Sequence, residues 1–439
     1  MNIKQGNQKY MKVLLERISV MILLCLSIYG CRKNSVDESE GLVIIDVADQ
    51  IGNYQVVPAS EYISKLEYIP LETNDSCIMG KINRIYIDAT HIIIVGYNNR
   101  SFCYAFTRDG KFLGEIGRYG QGPAEYNIIY NISIDDKEQV IYLSTRNKIL
   151  KYTLNGEFLR SIKIPQIGAY IDNFIFLRDN LFIGHVCNDT GQENYNFIIF
   201  NDSAEIIKSF YNYIKFEKVA THFNVVSIFS MEPYKVAQNL YLKELSNDTL
   251  YCLNEQNNLI PQFYFELDKY IFPIHLRQIG GTVEFKDLIA IPKNTKPIVG
   301  TDDCIFFSLS AGANIPKPKG LVRTIPAWGG GTIDLEDNQP VGIFDITKNR
   351  TRLLDTDPVS SMVGLINDLD GGLSFWPIHY TSDNELVDIW QTYDMKGFLT
   401  DEYFNAHQIK DPTAHQRLKA IVKKLKDDDN PVIVIAKLK

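Results

Sequence analysis

Any chemistry in this chain has to come from scattered residues. Seven histidines (His91, His185, His222, His275, His379, His407, His415) show no H-x-H or H-E-x-x-H spacing. No pair therefore has the separation that sets two imidazoles on one metal. The stretch 116–126, IGRYGQGPAEY, is glycine-rich but lacks the Lys-Ser/Thr pair of a phosphate loop and precedes no helical pattern. It reads as a turn between strands. Residues 367–372, NDLDGG, look like a calcium-loop fragment. That loop needs a third oxygen ligand before its glycine and a Glu farther on, and Gly371 comes too early, so a tight turn is expected. Thr301-Asp302-Asp303 reads as another polar turn, and no Gly-x-Ser-x-Gly elbow occurs.

What remains for gripping a ligand is aromatic. Trp328 stands beside Gly329, Gly330 and Gly331, close to the proline-rich IPKPKG, and Trp376, His379 and Tyr380 share the segment WPIHY. Large rigid rings can stack on sugars or hold peptides at small entropic cost. Trp328, Trp376, His379 and Tyr380 are therefore the candidate ligand-binding residues, with core packing as the competing reading for Trp376. No catalytic residue, metal site or cofactor is assigned.

These residues need a scaffold, and the composition points to β structure. The chain has 439 residues, 45% of them hydrophobic, with 25 Tyr and 23 Phe; aromatic and β-branched side chains suit pleated, half-buried surfaces. The net charge of −8 gives no basic footprint for nucleic acid. A weak repeat runs along the sequence. FCYAFTRDGKFLGEI (102–116) and ILKYTLNGEFLRSI (149–162) are each strand, turn, strand. Asp109-Gly110 and Asn155-Gly156 predict two-residue primed hairpin turns. Degenerate copies start at 196, 248 and 341. Four strands in about 40–50 residues is the period of a propeller blade. Blades are expected near 80–120, 124–164, 168–211, 222–266, 285–355 (with an insertion near 311–340) and 360–395. Strands at 42–47 and 66–72 are expected to complete the ring with the last blade, with 431–438 adding to it. The fold class is all-β, a six-bladed β-propeller closed by strands from both termini. One short C-terminal helix is predicted at 412–426, capped by Asp411, with Leu418, Ile421, Val422 and Leu425 on one stripe.

Lys12 and Arg17 precede the apolar run 18–28, ISVMILLCLSI. Eleven residues are too few to span a bilayer and suit a secretory signal core. The run ends at Gly30-Cys31, which resembles a bacterial lipoprotein signal with Cys31 as the acylated residue. The reading is a signal peptide at 1–30, a tether at 31–41 and a single propeller domain at 42–439. The mature net charge becomes −11. Cys77, Cys103, Cys187, Cys252 and Cys304 then remain, odd in number and scattered, which is neither a disulfide framework nor a metal site.

The segments 68–88, 106–126, 247–270, 365–377 and 427–439, in this order, resemble the six-bladed β-propeller lipoproteins of Gram-negative gut anaerobes, relatives of the NHL-repeat propellers. The resemblance implies a propeller in the cell envelope, held to the outer membrane by its lipid, and carries over no catalytic residue. Arg32-Lys33 occupy positions where such lipoproteins often carry acidic residues for surface display, so the periplasmic and surface faces both stay open. The expected function is binding of a glycan, a peptide or an outer-membrane partner protein. The alternative is a propeller lyase or hydrolase with a metal assembled at the ring axis; a structural accessory of an outer-membrane assembly is a third class.

Overall fold

Short apolar runs at a period of two form six antiparallel sheets, each of four core strands. The computed structural model describes residues 41–188, 190–217, 231–236, 239–244, 247–271, 290–291, 297–311, 315–326, 331–407 and 409–439. Cys31 and Trp328 lie outside them, as do the signal segment and all but the last residue of the tether.

Blade one is built from Lys81–Ile87, His91–Asn98, Arg100–Thr107 and Phe112–Glu115. Blade two is Asn131–Asp135, Val140–Ser144, Lys148–Thr153 and Phe158–Lys163, and blade three is Ile171–Arg178, Leu181–Val186, Tyr195–Asn201 and Ile206–Tyr211. Blade four is Met231–Val236, Asn239–Glu244, Thr249–Leu253 and Leu259–Glu266, and blade five is Val299–Gly300, Cys304–Ser308, Val341–Asp345 and Arg350–Leu354. Blade six takes His379–Tyr380, Glu385–Trp390 and Val432–Leu438 from the C-terminal end and Ile63–Pro70 from the N-terminal end. The ring thus closes through one sheet made of both ends of the domain, which leaves no open edge between first and last blades.

The core lies between blades. Ile92 and Ile94 pack with Ile433 and Ile435 of blade six. Their strand neighbours Ile93 and Val95 point the other way, toward Ile141 and Leu143 of blade two. Successive side chains alternate between faces, so a strand buried on both faces is apolar at every position. Four further interfaces of this kind complete the circle. First strands of neighbouring blades meet around the axis: Phe176 N donates to Ser133 Oγ at 3.1 Å, and the Tyr86 and His379 rings lie 6.2 Å apart. The five cysteines of the domain are free and buried.

Several details differ from expectation. Asp109-Gly110 and Asn155-Gly156 do not form primed two-residue turns. Of these four residues only the glycines have positive φ, 89° and 87°. Gly110 N donates to Thr107 O at 2.9 Å and Thr107 N to Lys111 O at 2.8 Å, and the register slips beside both turns. This is a type I turn followed by one left-handed residue and a bulge. The same single left-handed residue recurs at Ala204, Asn257 and Asn349 in the outer hairpins of blades three, four and five. The 42–47 strand does not join the last blade; Val43–Asp46 runs parallel to Leu259–Glu266 on the outside of blade four. The sixth blade does not lie within 360–395, because its third strand comes from 432–438.

The insertion in blade five is a hairpin, Leu321–Pro326 paired with Thr332–Asp337. Blade six carries three helices between its second and third strands: α1 (Thr392–Phe398), α2 (Asp401–Ala406) and α3 (Pro412–Val422). Only α3 was expected, and it ends at Val422 rather than 426. Asp411 caps it, accepting from Thr413 N and Ala414 N at 2.9 Å each. Among the described residues no helix is long and apolar enough to cross a membrane.

Candidate functional site

The insertion hairpin and the helices both leave the ring between second and third strands, so they rise from the same end of it. A cleft of about 180 Å³ lies where they meet the second strand of blade six and the residues leading into its first. Its lining includes Arg323 and Asp337 from the hairpin, Ser374 and Trp376 from the approach to blade six, and Asp394 from α1. Arg323 holds the hairpin to α1 through two hydrogen bonds, Nη1 to Asp394 Oδ1 at 2.7 Å and Nη2 to Oδ2 at 3.0 Å. Its guanidinium also lies over the Tyr393 ring at 5.8 Å. The hydrogen bond to Asp394 raises the Arg323 pKa further, so the pair is a fixed, internally neutral wall.

Trp376 is 2% exposed and packs edge-on against Phe306, centroids 5.8 Å apart at 80°. Its backbone N donates to Asp388 Oδ2 at 3.0 Å, and the Trp390 indole donates to the same oxygen at 3.1 Å. Among the described residues the Trp376 Nε1–H and the Ser374 Oγ find no hydrogen-bond partner, and both atoms are buried. Buried polar groups are normally paired, and leaving one unpaired costs about 1–3 kcal/mol. Trp376 thus takes the core-packing reading, with its N–H buried along with its ring.

His379 and Tyr380, close to Trp376 in sequence, go elsewhere. His379 sits in the first strand of blade six beside Tyr86 of blade one. Its Nε2 is buried and finds no partner among the described residues, and burial lowers the imidazole pKa to about 4, so the ring is neutral. The Tyr86 hydroxyl donates to Asp136; burial raises the phenol pKa, as does that carboxylate. Tyr380 donates to Asn384 Oδ1 at 2.9 Å and packs on the core between blades five and six. Trp376, His379 and Tyr380 are therefore not one binding group. Among the described residues no three His, Cys, Asp or Glu side chains are placed to hold a metal.

The NDLDGG segment is a clasp. Asp370 accepts from the Tyr68 hydroxyl at 2.9 and 2.8 Å, from Asn367 Nδ2 at 2.8 Å and from Gly372 N at 3.1 Å. Asp368 accepts from Ser60 N at 2.9 Å and Ser60 Oγ at 2.6 Å and pairs with Lys410 at 2.7 Å. Both carboxylates are spent on protein donors that join the closing strand and the helices to blade six, as a structural turn requires. IGRYGQGPAEY is the connector from blade one to blade two, and its carbonyls at Gly122 and Pro123 accept from Lys148 Nζ at 2.7 and 3.1 Å.

Sequence reasoning missed Ser374, Arg323 and Asp394. Arg323 and Asp394 are 71 positions apart, and no local pattern joins them. It also missed a group of exposed tyrosines at the edge of blade three. Tyr195 is opposite Tyr211 in register. The Tyr211 and Tyr213 rings meet at 4.9 Å, with Tyr213 86% exposed. The signal for them was the alternation YNY at 211–213.

Six blades, ring closure through both ends and an elaborated face define a β-propeller with a cleft built on one end. The chain belongs to the family described as a domain of unknown function, DUF4934, whose pattern matches residues 42–437. Among solved structures it is similar to a Bacteroides fragilis NCTC 9343 protein described as exported. The two share 16% identity at a TM-score of 0.63, over 91% of this chain and all of the other. More remote are a DUF4221 family member from Bacteroides vulgatus, with 10% identity, a TM-score of 0.43, and 66% of this chain and 84% of that one covered, and virginiamycin B lyase from Staphylococcus aureus, with 12% identity, a TM-score of 0.34, and 67% and 90% covered. No curated protein matches the sequence.

Proposed function

We propose that this chain is a lipid-anchored propeller of the cell envelope, NHL-like in its repeats, that binds its ligand without transforming it. In this reading residues 1–30 are the signal peptide, Cys31 carries the lipid, 31–41 tether the domain to the outer membrane, and 42–439 form the single propeller domain. The ligand is a glycan, a peptide or an outer-membrane partner. The observation that carries the reading is the cleft at the elaborated end of the ring, walled by the Arg323–Asp394 pair and lined by Trp376 and Asp337. Such a cleft offers orientation and hydrogen bonds. The carboxylate of Asp394 is held in its bidentate pair, and the other cleft carboxylates are Asp337, which is exposed, and Asp388, which accepts from Trp376 N and the Trp390 indole. The three tyrosines of blade three offer a second surface suited to chain-like ligands.

Two measurements test this. Fatty-acid labelling in cells should mark the wild type and leave Cys31→Ala unlabelled; label surviving in Cys31→Ala refutes the anchor. Metal analysis of purified protein addresses the alternative, a lyase or hydrolase with a metal at the ring axis. Stoichiometric metal would favour the alternative, and saturable ligand binding by metal-free protein counts against it.

A further inference from the structure

We propose that the outer edge of blade three is a self-association site, where Ile206–Tyr211 pairs antiparallel with the same strand of a second copy of this chain. The inference rests on the reading of the blade three tyrosines as a surface for chain-like ligands, names that chain, and is independent of the cleft.

The outer strands of the six blades give the first argument. An open sheet edge invites pairing with another chain, and folded proteins blunt it by covering, shortening or charging it. Blade four is covered by Val43–Asp46, and Tyr54–Gln55 runs parallel to the outer strand of blade five. The outer strand of blade one, Phe112–Glu115, has four residues, and its Phe112 N donates to Glu72 Oε2 at 3.0 Å. That of blade two, Phe158–Lys163, exposes Arg160 and Lys163. That of blade six, Ile63–Pro70, exposes Lys65 and Glu67 and ends in proline. Blade three has none of these devices. Its outer strand is six residues long, and among the described residues no strand pairs with its outer side. Ile207 and Tyr211 are 53% and 52% exposed. Its one charge, Lys208, is spent inward: Nζ donates to Asn258 Oδ1 of blade four at 2.7 Å and lies 5.4 Å from the centre of the Phe210 ring.

The order of residues in the strand says which chain completes it. Two copies pair antiparallel about a two-fold axis when each residue meets one equally far from the axis on the other side. With the axis at Ser209, Ile207 stands opposite the partner's Tyr211, and Tyr211 opposite the partner's Ile207. A β-branched residue against an aromatic ring is a favourable cross-strand pair. Lys208 stands opposite the partner's Phe210, so no like charges meet and each ammonium faces an aromatic residue. An axis at Lys208 would set two ammonium groups against each other. Alternation along the strand puts Ile207, Ser209 and Tyr211 on one face and turns Lys208 and Phe210 toward blade four. The small Ser209 lets the two copies approach at the axis. A six-residue edge is a small contact, so the dimer is weak and reversible.

The test is the mass of the full-length mature protein in density-matched detergent, by analytical ultracentrifugation from about 1 to 100 μM. The wild type should pass from monomer to dimer as concentration rises. Ser209→Lys and Ser209→Glu each set like charges opposite one another at the axis. Each should weaken association by about tenfold or more, and mixing the two should restore it as a heterodimer. Ile207→Lys, at an exposed position, should weaken it as well and carries the comparison if the Ser209 variants do not fold. A wild type that is monomeric at every concentration, or a dimer as strong in all these variants as before, overturns the inference. Single variants that weaken association without rescue on mixing overturn the pairing about Ser209. Each of these results leaves the cleft untouched, and its binding reading stands or falls separately on ligand capture.

Discussion

Replacing Asp357 with Asn should destabilise the domain most between about pH 4 and pH 6, with the loss shrinking at both extremes. Asp357 follows the last strand of blade five and is 1% exposed. Its carboxylate accepts from His407 Nε2 at 3.1 and 3.2 Å, from Ser360 Oγ at 2.7 Å, from the Tyr403 hydroxyl at 2.9 Å and from Val359 N at 2.9 Å. The other ring nitrogen of His407 faces the Tyr403 carbonyl at 2.8 Å. With an acceptor at each nitrogen the ring can donate twice, which favours the protonated imidazolium. The hydrogen bond to Asp357 raises the His407 pKa against the opposing effect of burial. Burial alone would raise the Asp357 carboxyl, but hydrogen bonds from His407, Ser360 and Val359 outweigh it and hold it down to about 2.

The signs follow from these shifts. A carboxyl lowered from 3.8 to about 2 contributes about 2 kcal/mol that is present above pH 4 and lost as pH falls toward 2. A raised imidazole contributes stability that is full below about pH 6.5 and lost as pH rises through its folded value. Removing one partner of a buried pair typically costs about 3–5 kcal/mol. Asp357→Asn, which keeps the shape and some hydrogen bonds, should cost about 2–4 kcal/mol near pH 5. Thermal unfolding of both proteins by circular dichroism at pH 2.5, 5 and 9 reads this out. The wild-type advantage in Tm should peak at pH 5. An advantage that is flat across the three, or absent at pH 5, refutes the account of how α2 docks beside blade five.

Other substitutions have definite outcomes. Ile435→Ala, at a fully buried position of the strand shared by both chain ends, should cost about 2–5 kcal/mol in denaturant melts. Gly117→Ala places a methyl at φ 73° and within 2.9 Å of the Tyr152 and Tyr126 rings, so it should lower stability by more than about 1 kcal/mol in the same melts. Arg323→Ala should change global stability by less than about 1 kcal/mol, since the Arg323 side chain is 38% exposed. It should nevertheless speed limited proteolysis within 321–337, because the hairpin loses its tie to α1.

The repeat was legible because its outer hairpins share a local rule. One left-handed residue ends each turn, whether Gly110, Gly156 or Asn349, and apolar runs flank it. Misassigned pieces lacked such a rule. The 42–47 strand is apolar enough for any outer edge, and nothing within it specifies blade four. The α1 and α2 segments are short, so their periodicity is weak, and their position inside blade six depends on Val432–Leu438 returning from the chain end. The cleft was half legible. Trp376 stood out by type, but residue type does not say that both its ring and its N–H are buried. His379, three residues on, reaches the axis instead. Arg323 and Asp394 meet only because two insertions rise from one end of the ring.

The central claim, a binding propeller whose ligand leaves unchanged, is tested most directly by incubating the metal-free mature protein with end-labelled glycans and peptides, isolating the complex and analysing the released ligand by mass spectrometry. The account predicts saturable capture with the ligand recovered intact. Ligand recovered cleaved or eliminated, with turnover beyond one equivalent, would contradict it.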